Sequence, residues 1–288
     1  FSRQPIDRIF DALPGDTLLR HTIATQRAAT SGLSEAFTTN VFAYLNHVFP
    51  DKSELALHAE ANYSHTRNDL NTLRRLRYFR TAGSNSYENQ YLRSPERSLK
   101  TSATLYYNKW LSKQALFTFE YGFKYKRGLR RRDLFRLDRL PEYANPDAVQ
   151  IDYHAPEEQR LLSVFDPISS YRHHFRETNN SAEASILLRW GKFSFKPELG
   201  WKYANERIEY RQGSIDTTAV RHQHLFFPHL KVEYKFSPTS ILEANYGYKT
   251  TPPELINTIA YVDKSDPLFI RRGNPFLLNT HEHQAALA

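Results

Sequence analysis

The chain has 288 residues, no cysteine, no methionine, 14% aromatic residues and a formal net charge of +8. Without cysteine there is no disulfide framework, thiolate metal site or cysteine nucleophile, and no apolar run approaches the ~18 residues that a membrane-crossing helix needs. The positive balance suits an anionic partner without selecting one, and no nucleic-acid module motif is present.

In chain order, segments 2–10 and 16–30 are weakly patterned but read as strands. Segments 36–49, 54–68, 97–111, 115–128, 179–190, 192–210, 222–236 and 240–249 alternate more clearly, and an eleventh strand begins near 281. The clearest is 115–127. Ala115, Phe117, Phe119, Tyr121, Phe123 and Tyr125 share one side, and Thr118, Glu120, Gly122, Lys124 and Lys126 the other. A helix would align Phe117 with Glu120, Tyr121 and Lys124, which is no apolar stripe. Pro197 and Pro228 fall inside strand patterns. Each lacks the N–H that a ladder needs, so each is expected at a bulge or where regular pairing starts.

Short turns at 49–54, 110–115, 190–193 and 236–241 alternate with long polar segments at 69–97, 129–178, 211–221 and 250–280. Loops of that length are uncommon in compact soluble domains. Short turns at one end and long loops at the other are the arrangement of a transmembrane β-barrel. Phe49, Trp110, Phe117, Trp190, Phe193 and Phe236 lie at or near the short turns, where an interface girdle of aromatics is expected. A soluble β-sandwich would hold them mid-strand, in its core. The expected fold is all-β, an antiparallel transmembrane β-barrel. One side of 115–127 then meets lipid and the other lines a wet interior. All of 1–288 is read as barrel wall, part of a larger barrel cut at both ends.

Phe227-Pro228, Tyr246-Gly247-Tyr248, Asp266-Pro267-Leu268 and Gly273-Asn274-Pro275-Phe276-Leu277 together resemble the C-terminal half of TonB-dependent outer-membrane receptors, within the outer-membrane β-barrel protein family. Asn279-Thr280-His281 and Thr251-Pro252-Pro253 depart slightly from that pattern. The resemblance implies a 22-stranded barrel in the outer membrane of a Gram-negative bacterium, plugged by an N-terminal domain and taking up a nutrient. It implies TonB as a partner, through a region absent from this chain, together with outer-membrane lipid, lipopolysaccharide and a surface lipoprotein. Neither a plug nor a TonB box is visible in the sequence. The alternative is a β-rich outer-membrane or secreted module that binds glycan or protein without transport.

Asp266, Pro267, Gly273, Asn274 and Pro275 read as a loop-ordering device, with Asp-Pro and Asn-Pro starting turns and Gly273 allowing positive φ. Arg130, Arg131 and Arg132, together with Arg271 and Arg272, are candidates for binding a nutrient anion or lipopolysaccharide phosphate, because guanidinium matches carboxylate and phosphate bidentately. Arg74, Arg75, Arg77 and Arg80 form a third basic loop cluster. His173 and His174, beside Glu177, diverge to opposite faces if they lie on a strand, and the pairs His222/His224 and His281/His283 lack a further ligand at suitable spacing, so no metal is expected. Ser163, Asp166 and His154 share a loop, but proximity in sequence makes no triad. Without a nucleophile elbow or phosphate-cradling loop, no enzyme and no cofactor is expected.

Overall fold

The computed structural model describes residues 2–11, 22–78, 86–145, 157–266 and 269–288. Its strands are β1 (Ser2–Asp11), β2 (Thr22–Val48), β3 (Glu54–Tyr78), β4 (Ser86–Ser112), β5 (Ala115–Arg136), β6 (Tyr171–Trp190), β7 (Phe193–Gln212), β8 (Ile215–Ser237), β9 (Ser240–Thr251), β10 (Val262–Asp266), β11 (Phe269–Arg272) and β12 (Thr280–Leu287). Ten of them form one antiparallel sheet in the order β1 to β9 and then β12. The hairpin β10–β11 stands apart in the last long connection. One short helix, α1 (Glu158–Ser163), lies in the connection between β5 and β6.

Long runs of unbroken register turn the alternation of each strand into two continuous faces. Leu57, Leu105, Tyr121, Ala182, Trp201 and Phe226 are neighbours across six strands. On the opposite face Asn62, Lys100, Lys126, Glu177, Glu206 and Arg221 form an equally continuous rung. Leu45, Phe193, Phe195, Leu199 and Phe226 lie exposed on the apolar face, and no second layer covers it among the described residues. A water-soluble sheet would have to bury so large a patch.

The short-turn end carries a belt. Phe193 and Tyr234 rings lie 4.6 Å apart, as do Tyr234 and Phe236. His47 and Phe49 meet edge-on at 4.5 Å, and Trp190 is 84% exposed. Phe117 pairs with Ile186 on the apolar side. Trp110 departs from the expected girdle. It shares the polar face with Tyr106 and Asn108, opposite Leu116, and the Arg189 guanidinium sits 5.7 Å above its ring.

A second belt lies higher on the apolar face. Trp201 Nε1 donates to His224 Nδ1 at 3.3 Å, and the Tyr203 ring stacks on His222. Tyr246 and Tyr248 hydroxyls meet His283 and His281 at 3.0 and 2.7 Å. The two histidine pairs considered as chelators thus serve as aromatic partners. Tyr203 stands ten positions beyond Phe193. That is about 33 Å of strand at about 3.3 Å per residue, or about 25 Å of height at a tilt of about 40°. This is the height of the apolar band of an outer-membrane barrel.

Four sequence expectations change. Segments 16–30 and 36–49 merge where described, because β2 pairs with β3 from Ala24 to Val48 without a break. Two of the long polar segments are largely strand and a third is strand at both ends: β3 and β4 reach Tyr78 and Ser86, 211–221 reduces to a tight hairpin at Gly213, where φ is 55°, and β5 and β6 extend into 129–178 as far as Arg136 and Tyr171. Above the band neither side of these strands meets acyl chains, so their sequence loses its apolar alternation. The prolines fall where pairing lapses. Opposite Pro197, the β6–β7 ladder skips Ile186 and Leu187, and β8 pairs with β9 only from His229 onward, immediately after Pro228.

The long-loop end holds two compact clusters. Tyr91, Phe135, Leu137, Leu140, Leu161 and Val164 form one, which fastens the α1 connection onto β4 and β5. Arg93 adds a bidentate bridge to Glu158 at 3.1 and 3.0 Å. Ile208, Tyr210 and Ile259 form the other, which draws the connection after β9 onto β6 and β7 with Leu255, Ile256 and Tyr261. Buried Gln212 ties the two connections together, donating to the carbonyls of Ile168 (2.8 Å) and Val262 (3.0 Å).

Candidate functional site: a capped pocket on the polar face

Three consecutive rungs of the polar face build a pocket of about 590 Å³ at the long-loop end. The uppermost sets Glu96, Arg130, His173 and Tyr210 side by side, the next Ser98, Gly128, Phe175 and Ile208, and the third Lys100, Lys126, Glu177 and Glu206. Leu255, Ile256, Asn257 and Tyr261 close the pocket from the loop side. None of these groups is close in sequence to its rung neighbours; antiparallel register alone assembles them.

The rungs differ in chemistry. Glu96 accepts two hydrogen bonds from Arg130, both at 2.9 Å, and this partner raises the Arg130 pKa above its ordinary value. Phe175 lies over Gly128, where any Cβ would strike its ring edge, and the Lys126 ammonium sits 4.8 Å above the same ring. Glu206 accepts from Arg221 at 2.7 Å.

Two buried polar atoms on this floor have no partner among the described residues: His173 Nδ1 and Ser98 Oγ. Buried polar groups are normally satisfied, so each such atom calls for a bound polar group or ordered water. His173 pairs with Tyr210, seven positions beyond Tyr203, and so lies outside the spanning band. Burial, followed by the Arg130 charge, pushes its pKa down from 6.5 to about 4. The folded site therefore refuses a proton that the opened chain accepts between about pH 6.5 and pH 4. Stability from this group is intact above pH 6.5 and declines as pH falls through that window. Amide exchange of 172–175 and 207–210 is expected to be faster at pH 5 than at pH 7 after correction for intrinsic rates. His173→Asn, which cannot titrate, removes that difference.

The basic run 130–132 divides between faces, because successive strand residues alternate. Arg130 lines the pocket, Arg131 bonds Asp133 on the other face at 2.8 Å, and Arg132 returns to the pocket side, 6.0 Å from the Tyr171 ring centre. Arg272, the last residue of β11, is exposed; the Arg271 side chain lies outside the described residues, as do Arg80 and His154. Asp266 ends β10, with its side chain outside the described residues, and Pro267 lies outside them altogether.

Gly273 does not adopt positive φ, which is confined to Gly191 and Gly213 among the described glycines. Its small size matters instead, since a Cβ would collide with the Ile259 carbonyl. Its N–H donates to Tyr261 O at 3.1 Å, and Asn274 N–H donates to Asn257 O at 2.7 Å. Asn274 Oδ1 accepts from Phe276 N–H at 3.0 Å, beside Pro275. These contacts hold the stretch after β11 against the turn that closes the pocket.

Ser163 and Asp166 serve local structure: Ser163 Oγ donates to Arg160 O at 2.7 Å, and Asp166 accepts from the N–H groups of Ile168 and Ser169. Sequence reasoning passed over Glu96, Ser98, Lys126, Phe175 and Tyr210. Their only signal was a position in phase with the wet face, which gives membership of the face but not the height.

No curated protein matches the sequence. Among solved structures, the chain is similar to the ferric citrate transporter FecA in its unliganded form, with a TM-score of 0.40 and 10% identity over 79% of this chain. The matched region is 36% of that transporter, so this chain spans about a third of its length. The model of the outer membrane protein beta-barrel family matches residues 47–288. With its two-faced antiparallel sheet and paired aromatic belts, the chain belongs to that family and resides in the outer membrane of a Gram-negative bacterium.

Proposed function

We propose that the chain forms wall and vestibule of an outer-membrane transporter that takes up a nutrient, energised by TonB through a region outside this chain. The observation that carries this reading is the capped pocket, with the unpartnered His173 Nδ1 and Ser98 Oγ on its floor. It lies on the wet face above the apolar band, where a solute arriving from outside would first be held. Lys100 and Lys126, Glu177 and Glu206, and the rings of Tyr171, Phe175 and Tyr210 suit a polar solute with a flat or apolar part. The sheet edges at β1 and β12 leave ladder groups without partners among the described residues. Lipid cannot satisfy those groups, so further strands must close the wall, in keeping with the 22-stranded barrel that the resemblance implies.

The test uses the full-length gene in its native host. Depletion of solutes from a defined medium is compared for wild type, a deletion, a TonB-deficient strain and Ser98→Tyr, which fills the pocket. One solute class is expected to persist in the medium of all three altered strains, while Ser98→Tyr protein remains folded in the membrane. Wild-type depletion of every solute by the deletion strain would overturn the reading. Surface retention of a solute without depletion would identify the non-transport binding module instead.

A further inference from the structure

The apolar face changes character immediately above its upper belt. The rung holding Tyr125, Thr178, Asn205 and His222 is followed on the same face by Leu99, Arg127, Arg176, Arg207 and Val220. Register sets Arg127 opposite Arg176, and Arg176 opposite Arg207. Like charges directly opposed on neighbouring strands destabilise a sheet, so three in a row need compensation. Arg207 has Glu209, at 2.9 Å. Arg127 and Arg176 have no carboxylate partner among the described residues, and all three side chains are exposed. A cleft of about 390 Å³ runs between them, bordered also by Gly128, His174, Phe175 and Glu209. Four positions higher, Arg131, Arg172 and Arg211 repeat the row, here with Asp133 and Asp216 as counter-charges for the first and last.

Height decides what this cleft meets. Arg207 stands four positions beyond Tyr203, or about 10 Å above the belt at about 3.3 Å per tilted residue. On the lipid-facing side of an outer-membrane wall, that is the headgroup layer of the outer leaflet. The rung below supplies Tyr125 and His222, amphipathic groups that suit the boundary between acyl chains and headgroups. Guanidinium groups present a planar fork to phosphate oxygens, and three on adjacent strands can share one phosphate or a close pair.

We propose that Arg127, Arg176 and Arg207 form a clasp on the outer wall for the phosphate of a phosphorylated outer-leaflet glycolipid. Arg176 and Arg207 also border the capped pocket, but register puts the three arginines on the opposite face from His173 and Ser98, and the clasp is independent of any transport function. Lipid compensates Arg127 and Arg176, which the described residues leave without a carboxylate, and fixes the barrel's depth and rotation in the leaflet.

The full-length protein is extracted in mild detergent, and retained lipid is counted by native mass spectrometry. A bis-phosphorylated, acylated glucosamine disaccharide and its enzymatically dephosphorylated form are then added back as probes. Wild type is expected to bind the phosphorylated probe at least tenfold more tightly than the dephosphorylated one. Arg127→Gln/Arg176→Gln/Arg207→Gln is expected to lose that preference. Lys113→Gln/Lys192→Gln, at the short-turn end, is expected to keep it. Inorganic phosphate at millimolar concentration is expected not to compete; full competition would mean a free-anion site and overturn the lipid assignment. Equal binding of the two probes by wild type would overturn the clasp without reference to any variant, so a misfolded triple variant cannot rescue it. Where the triple variant fails to assemble, Arg176→Gln alone is expected to weaken the preference severalfold.

Discussion

Phe119→Arg is expected to impair insertion and folding, whereas Thr118→Arg, one residue away, is expected to fold as wild type. Phe119 lies midway along the apolar part of β5, in a rung with Leu55, Tyr107, Ala184, Leu199 and Pro228. A guanidinium there meets acyl chains, at a cost of about 2–4 kcal/mol near the bilayer midplane. Thr118 faces the other way, opposite Asn108 and Ser185, on the same face as Glu120 and Glu183. An added arginine finds water and carboxylates there. The readout is urea-dependent refolding of the full-length protein into lipid vesicles, scored by unheated against boiled electrophoretic mobility. Equal penalties at the two positions would mean that the apolar face is a protein core and that the sheet does not line a membrane.

That contrast was legible in the sequence because both environments of 115–127 are written in the side chains: aromatics where lipid is, and Thr, Glu and Lys where water is. The legibility ends at the top of the band. Residues 69–78, 86–96 and 171–178 are strand, yet above the band neither face meets acyl chains, and the alternation that marks a strand disappears. They read as loop, and their pairing shows only in cross-strand partners such as Thr72 with Gln90. Gly32, Ser34 and Glu35 looked like a break in β2 for the same reason, yet they pair in register with Leu70, Asn68 and Arg67. The pocket was harder still. Glu96, Arg130, His173 and Tyr210 come from four strands and meet through register, which no single stretch of sequence encodes. The basic run 130–132 drew the eye as a unit, but alternation sends its members to opposite sides of the wall.

The α1 connection should behave as a cooperative unit of its own, and Phe135→Ala is the change expected to open it. Leu137 and Leu161 are wholly inaccessible, and Phe135 joins them to the sheet. Its ring centre lies 6.1 Å from that of Tyr91 and 5.7 Å from that of Phe165, with the Arg93 guanidinium 5.8 Å above it. Truncating so enclosed a ring removes its burial and leaves a cavity, at a cost of about 3–5 kcal/mol. The backbone bonds that fasten this connection to β5, Arg136 N–H to Val164 O and Asp166 N–H to Leu134 O, both 2.8 Å, depend on that packing. The loss should appear locally, because the ladders of the spanning band do not pass through this cluster. Amide exchange is expected to accelerate by two to three orders of magnitude over 134–140 and 161–166, at about 1.4 kcal/mol per tenfold. Residues 115–125 should stay protected and heat-modifiable mobility should be unchanged. Leu162→Ala, a neighbouring but exposed position, is expected to shift exchange by less than about 0.5 kcal/mol. If Phe135→Ala instead slows assembly of the whole barrel, the connection is part of the folding nucleus of β4 and β5 rather than an attachment laid over them.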